Sequence, residues 1–133
     1  MGFSVDYEPN FTSIQYSYIK PDQDIRVLNW KEFPFLESVK DTQAIYFSAS
    51  TVGGNHRHPR TEWYLGFGDL IIYWLDTTGK RHQRHLNPQG RLLLVKIPPY
   101  LPHAVRNRSV TNSALLIELA DAPQHDVERI KVF

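Results

Sequence analysis

The sequence predicts an all-β fold, an antiparallel sandwich or jelly-roll-like barrel. Two observations predict it. From Ala44 onward, short β-rich runs recur at regular spacing, divided by Gly, Pro and Asn turn signals. No internal repeat, low-complexity tract or linker interrupts them, so residues 1–133 read as a single domain.

The elements follow in order. IQYSYI suits an edge strand, and VLNWKEFPFLESV a helical turn interrupted by Pro34. Leu28, Trp30, Phe33, Phe35 and Leu36 then cover one end of the barrel, making 1–43 a cover segment and 44–120 the barrel core. AIYFSAS ends before the turn Thr51-Val52-Gly53-Gly54-Asn55. TEWYLGF precedes Gly68-Asp69, and DLIIYWLD runs to Thr77-Thr78-Gly79-Lys80. RLLLVKI is stopped by Pro98-Pro99, and HAVRN and SALLIELA complete the pattern before a polar tail.

Composition bounds the function. Net charge is +1, from 15 basic and 14 acidic residues, so no field draws the chain to nucleic acid or anionic lipid. There are no cysteines, which excludes disulfides, thiolate zinc sites and cysteine nucleophiles and leaves nitrogen and oxygen ligands for any metal. The N-terminus lacks a basic segment followed by an apolar stretch, and no apolar run approaches the roughly 20 residues of a membrane span. A cytoplasmic protein is expected.

The chemistry concentrates in GGNHRHPRTEWYLGFG, residues 53–68. In an extended stretch His56 and His58 point to one face, and Glu62 shares their parity. Two imidazoles and a carboxylate can hold a divalent ion and leave positions open. In IPPYLPHAVRN, prolines 98, 99 and 102 rigidify the approach to His103 at the start of a strand, with Asn107 four residues on.

These two stretches resemble the paired motifs of the cupin superfamily, small double-stranded β-helix barrels that hold a metal inside. The first motif places Glu three or four residues after His-x-His, as His56-Arg57-His58 and Glu62 do. The second spaces Pro, His and Asn as Pro98, His103 and Asn107 are spaced. The resemblance implies His56, His58, Glu62 and His103 as ligands of a divalent ion (Zn, Mn, Fe or Ni), with Asn107 structural or supporting. The chain departs from the motifs at four glycine positions. Ser50 and Leu92 stand where glycines lead each motif, Gly68 falls one residue early, and Tyr100 replaces a turn glycine. The tyrosine is expected to make that turn only without positive φ, or to lie over the pocket mouth.

A narrower likeness joins Gly-Asn-His-x-His, Ile-Pro-Pro before the last histidine, and a strand ending Glu-Leu-Ala-Asp. These features are similar to small cupins of sugar-nucleotide and polysaccharide biosynthesis. That group includes ketoisomerases, epimerases and capsular-synthesis reductase domains, and some members work without metal, using His with Tyr or Asp. It implies a small sugar or nucleotide-sugar substrate and an isomerase or epimerase. The alternatives are a non-haem metal dioxygenase and a non-catalytic ligand-binding barrel.

Tyr64 and Tyr46 are the aromatic residues expected to approach the pocket as catalytic groups. His82, His85 and His125 are expected to face solvent, as are Arg57, Arg60, Arg106 and Arg108 at strand ends. Trp63, Leu65 and Phe67 have the opposite parity to Glu62 and point outward if it points in. Such a row on a small barrel is a covered surface or a dimer interface, and a homodimer is expected.

Overall fold

A computed structural model describes residues 8–133. The first strands are β1 (Asn10–Ile14), β2 (Tyr18–Lys20), β3 (Ile25–Val27), β4 (Asp41–Phe47), β5 (Val52–Arg57) and β6 (Glu62–Phe67). They are followed by β7 (Leu70–Leu75), β8 (Arg81–His85), β9 (Leu92–Ile97), β10 (His103–Asn107), β11 (Ala114–Ala120) and β12 (Glu128–Arg129). Two five-stranded antiparallel sheets, ordered β1-β9-β6-β11-β4 and β12-β5-β10-β7-β8, face each other, and β2 and β3 form a separate hairpin. No helix among the described residues is long and apolar enough to cross a membrane.

Strand alternation builds the core between the sheets. Tyr64, Ile72, Trp74, Val95, Ile97, Val105 and Leu116 pack there with Phe47, Leu70, Leu86 and Leu101. Each such side chain, fully buried, contributes about 1.5–3 kcal/mol. Trp74 and its neighbour Tyr73 divide as strand neighbours must: Trp74 enters this core and Tyr73 a second cluster with Ile71, Ala104 and Val132.

The N-terminal segment does two jobs. β1 extends the first sheet by pairing with β9, four to five residues upstream of the expected edge strand. The turns Trp30–Glu32 and Pro34–Ser38 then lie over that sheet's outer face rather than over a barrel end. Asn29 caps the first turn by accepting from Lys31 N at 3.0 Å, and Pro34 opens the second. Phe35 stacks on Trp63 with ring centroids 4.5 Å apart and planes 8° from parallel. The outward row is therefore covered largely from within the chain: Trp63 is 8% and Leu65 1% exposed. Tyr46 and Leu115, opposite each other in register, stay exposed on that face.

Two replaced glycines keep a glycine's backbone. Ser50 takes φ 61° and Tyr100 φ 66°. The expectation that Tyr100 avoids positive φ is thus corrected, at a cost on the order of 1–2 kcal/mol for a residue with a Cβ. Its amide donates to the His58 carbonyl at 2.8 Å, which ties the turn to the first histidine pair. Its ring lines an outer cleft beside Arg57, Leu75 and Thr77, not the mouth of the histidine cavity.

Candidate functional site

Strand β5 carries His56, and His58 follows just past its end; β6 begins at Glu62 and β10 at His103. Because β10 pairs with β5, His103 lies opposite His56 in register. The three imidazoles meet with ring centroids 4.7, 4.8 and 5.2 Å apart, and their ligand nitrogens all lie within 4.8 Å of one another. His56 and His103 line a cavity of about 190 Å³ together with Tyr64, Gln43 and Glu118, while His58 and Glu62 are buried outside its lining.

His103 Nδ1 lies 2.7 Å from the Leu101 carbonyl, an acceptor only, so Nδ1 carries the hydrogen and a neutral ring presents its Nε2 lone pair. Among the described residues that nitrogen has no hydrogen-bond partner, and neither nitrogen of buried His58 has one. Both Nε2 atoms close on one oxygen, Glu62 Oε1, at 3.0 Å from His58 and 3.3 Å from His103, without hydrogen-bond geometry. A lone pair facing a carboxylate oxygen is repulsive unless a cation or proton sits between. Two ligands at right angles, each about 2.1 Å from a divalent ion, stand about 3 Å apart. The His56, His58 and His103 nitrogens could hold a divalent metal, with Glu62 Oε1 beside two of them.

Burial opposes ionisation of Glu62, but a proton on the facing His103 or His58 nitrogen outweighs it and holds the carboxyl well below the usual range, so either a proton or a metal ion satisfies this contact. Burial and the neighbouring His103 and His58 lower His56 to about 4, leaving it neutral at pH 7. Tyr64 donates its hydroxyl to Glu62 Oε1 at 2.8 Å, and burial with the Glu62 charge pushes its pKa well above the phenol value. Tyr64 thus enters the cavity as a proton donor fastened to Glu62. Tyr46 does not enter it. On β4 the odd residues Gln43, Ile45 and Phe47 line the cavity, so Tyr46 projects from the outer face, 68% exposed.

Arg60 corrects the expected solvated strand end. It is 2% exposed. Its Nε and Nη2 reach Glu62 Oε2 at 3.0 and 2.7 Å, and Nη2 also meets Glu118 Oε1 at 2.6 Å. Nη1 donates to Asp41 Oδ2 at 2.8 Å and to the Ala122 carbonyl at 3.0 Å, so every guanidinium donor group is engaged. Burial and the Glu62 charge raise the Glu118 carboxyl to about 8. Sequence reasoning missed Arg60 and Glu118 as cavity residues. Glu118 had a signal, since it shares parity with the buried Leu116 and Ala120 of an apolar strand. Arg60 had none.

The remaining residues divide plainly. Asn107 is structural: its Nδ2 donates to the Ser48 and Asn112 carbonyls at 3.1 and 2.8 Å. His82 and His85, expected in solvent, are half-buried and bonded to Asp76 and Asp69 at 2.8 and 2.9 Å. His125 is exposed. Arg57 points away from the site to Glu128, 2.8 Å distant.

No protein-family model matches the chain, and no curated protein matches it in sequence. Solved structures do. A dTDP sugar isomerase from Desulfovibrio desulfuricans G20 superposes with a TM-score of 0.74 at 15% identity, covering 93% of this chain and 84% of that one. A variant of the 3,4-ketoisomerase QdtA from Thermoanaerobacterium thermosaccharolyticum, in complex with TDP-4-keto-6-deoxyglucose, gives 0.65 at 15% identity over 90% and 84%. The capsular polysaccharide assembling protein CapF from Staphylococcus aureus gives 0.61 at 17% identity over 69% of this chain. The chain spans 28% of CapF's length. The fold is therefore that of a cupin, an antiparallel double-stranded β-helix barrel. Two of these solved structures bear the names of a dTDP sugar isomerase and a 3,4-ketoisomerase, and the third that of a capsular polysaccharide assembling protein, in line with the narrower likeness in the sequence.

Proposed function

We propose that the protein is a sugar-nucleotide isomerase that moves a carbonyl between adjacent carbons of a keto sugar, or inverts the carbon beside it. One observation carries the reading: Glu62 Oε1 lies against the Nε2 atoms of His58 and His103, and His103 with His56 lines a cavity walled on another side by Gln43 and Glu118. The names of the structures it resembles support the substrate class.

His56, His58, Glu62 and His103 would hold a divalent ion, which when bound supplies positive charge beside the substrate's carbonyl oxygen. Isomerisation removes a proton from the carbon next to the carbonyl, and the carbonyl oxygen gains one, giving an enediol. Return of a proton to the former carbonyl carbon, with loss of one from the other hydroxyl, moves the carbonyl. Glu118, lining the cavity, is placed to carry protons in this exchange, and Gln43 to bond sugar hydroxyls. Tyr64 holds Glu62 in place. A metal-free variant, with neutral His56 as the base, draws on its incomplete burial beside the cavity. A second copy of the chain is proposed to pack on the exposed Tyr46 and Leu115.

The test is incubation with TDP-4-keto-6-deoxyglucose in D2O, with protein as purified and after chelation, alongside elemental analysis. Deuterium appearing beside the carbonyl with a new keto isomer is expected, and chelation should abolish it. Exchange that survives chelation selects the metal-free variant. No exchange in either sample, or oxygen uptake with ferrous iron alone, overturns the isomerase reading.

A further inference from the structure

His56 and His58 face inward only because one residue is looped out of β5. Along β10, His103 pairs with His56 but the next residue, Ala104, pairs with Gly54, so Asn55 has no partner and forms a β-bulge. Asn55 takes φ 57° and Gly54 φ 86°, the left-handed region that a bulge demands. The effect on side-chain direction is visible on either side. A Cβ on Gly53 would point at the core ring of Phe47, 3.3 Å away, while Val52 is exposed. Gly53 and His56 are three residues apart, and in an unbroken strand they would face opposite ways. Here both adjoin the cavity. Without the bulge, His56 and His58 would take the outward parity of Val52, since a one-residue slip flips every side chain beyond it.

The bulge is held by residues 130–133. Asn55 Oδ1 accepts from the amides of Val132 and Phe133, both at 2.9 Å, and its carbonyl accepts from Ile130 N at 2.9 Å. β12 pairs with β5 at Arg57 and His56 themselves. Val132 packs on Ile71, Tyr73 and Ala104, and the Phe133 ring stacks on Tyr73 at 4.5 Å with Arg106 5.0 Å from its centroid. Three hydrogen bonds and an apolar anchor thus converge on the single residue that aims the histidine pair.

We propose that Asn55 is a positioning residue: clamped by residues 130–133, it sets the parity of β5 and turns His56 and His58 into the cavity. The inference rests on the reading of those histidines as the site, and its test separates the two. The full chain is compared with Asn55→Ala, Asn55→Asp and Asn55→Gly by His56–His103 ring-proton NOEs and by Co(II) titration. In the wild type the NOE is expected. Asn55→Ala should lose it while far-UV circular dichroism is kept, and weaken Co(II) binding about 10- to 100-fold, as loss of an outer partner does. Asn55→Asp, which keeps the acceptor and tolerates the left-handed backbone, should restore both. If Asn55→Ala does not fold, Asn55→Gly decides, since it keeps the backbone freedom and the carbonyl bond to Ile130 and removes only the two bonds that Oδ1 accepts. An NOE of wild-type strength in folded Asn55→Ala, or failing that in Asn55→Gly, overturns the proposal. A wild type that binds no Co(II) but shows the same NOE pattern overturns the metal reading and leaves the positioning role standing.

Discussion

Arg60 and Glu62 form an ion pair of 2.7 Å in which both side chains are almost wholly buried, beside the cavity that the histidines adjoin. Glu62 offers its other oxygen to His58, His103 and Tyr64, so the guanidinium fixes which face the carboxylate shows to the site. Replacing Arg60 with Met would strand Glu62, Glu118 and Asp41 without their shared partner. A loss of about 3–5 kcal/mol in unfolding free energy is expected, as for a buried pair deprived of one member. Urea unfolding at pH 7 measures it, and a loss below about 1 kcal/mol would show that the carboxyls find compensation without Arg60.

Removing a first histidine should act on metal more than on fold. His58→Ala deletes nitrogens that have no hydrogen-bond partner, whereas His103→Ala deletes one such nitrogen and also the donor to the Leu101 carbonyl, so His58→Ala perturbs the fold less. Co(II) affinity is expected to drop by more than the 10- to 100-fold typical of outer partners. Unchanged affinity in both variants would remove these residues from the ligand set.

Acid stability carries a separate signature at Asp76. His82 bonded to the Asp76 carboxylate, with Thr78, holds its pKa well below the ordinary value of 3.8. A carboxyl depressed in the folded state stabilises the fold fully above its unfolded pKa and loses that contribution as pH falls towards its folded one. Asp76→Asn should therefore lower the Tm at pH 7, with the gap to wild type closing only below about pH 4. A gap constant from pH 7 to pH 2 would contradict the assignment.

The outer face of the first sheet predicts association. Tyr46 and Leu115 pair across β4 and β11, and among the described residues β4 is an unpaired edge. The double substitution Tyr46→Glu, Leu115→Glu should convert a dimer to a monomer in analytical ultracentrifugation. Because both side chains are exposed, monomer stability should shift by no more than about 0.5 kcal/mol. A wild type that sediments as a monomer would dispose of this interface.

Much of the barrel was legible. TEWYLGF, RLLLVKI and HAVRN became β6, β9 and β10 to within a residue or two, because alternation and Pro or Gly stops are local signals. Of the four residues matched to the cupin spacing, His56 and His103 line one cavity, and His58 and Glu62 are buried, with Glu62 against His58 and His103. What stayed hidden was non-local. The pairing of β1 with β9 joins residues some eighty positions apart, and nothing in IQYSYI announces it. Arg57 and Arg60 look alike in a basic loop, yet one lies on the surface and the other under three carboxyl groups.

By itself, then, the sequence determined the strand rhythm, the single antiparallel domain and the residue types available to the site, since these depend on neighbours a few positions away. Tertiary structure decided which way those residues face. The inward turn of His56 and His58 depends on a bulge at Asn55 clamped by residues 130–133, more than seventy positions on. The burial of Arg60 depends on acidic partners from β4, β6 and β11. Side-chain direction in a strand is a parity, and a single looped-out residue, held by contacts far along the chain, reverses it.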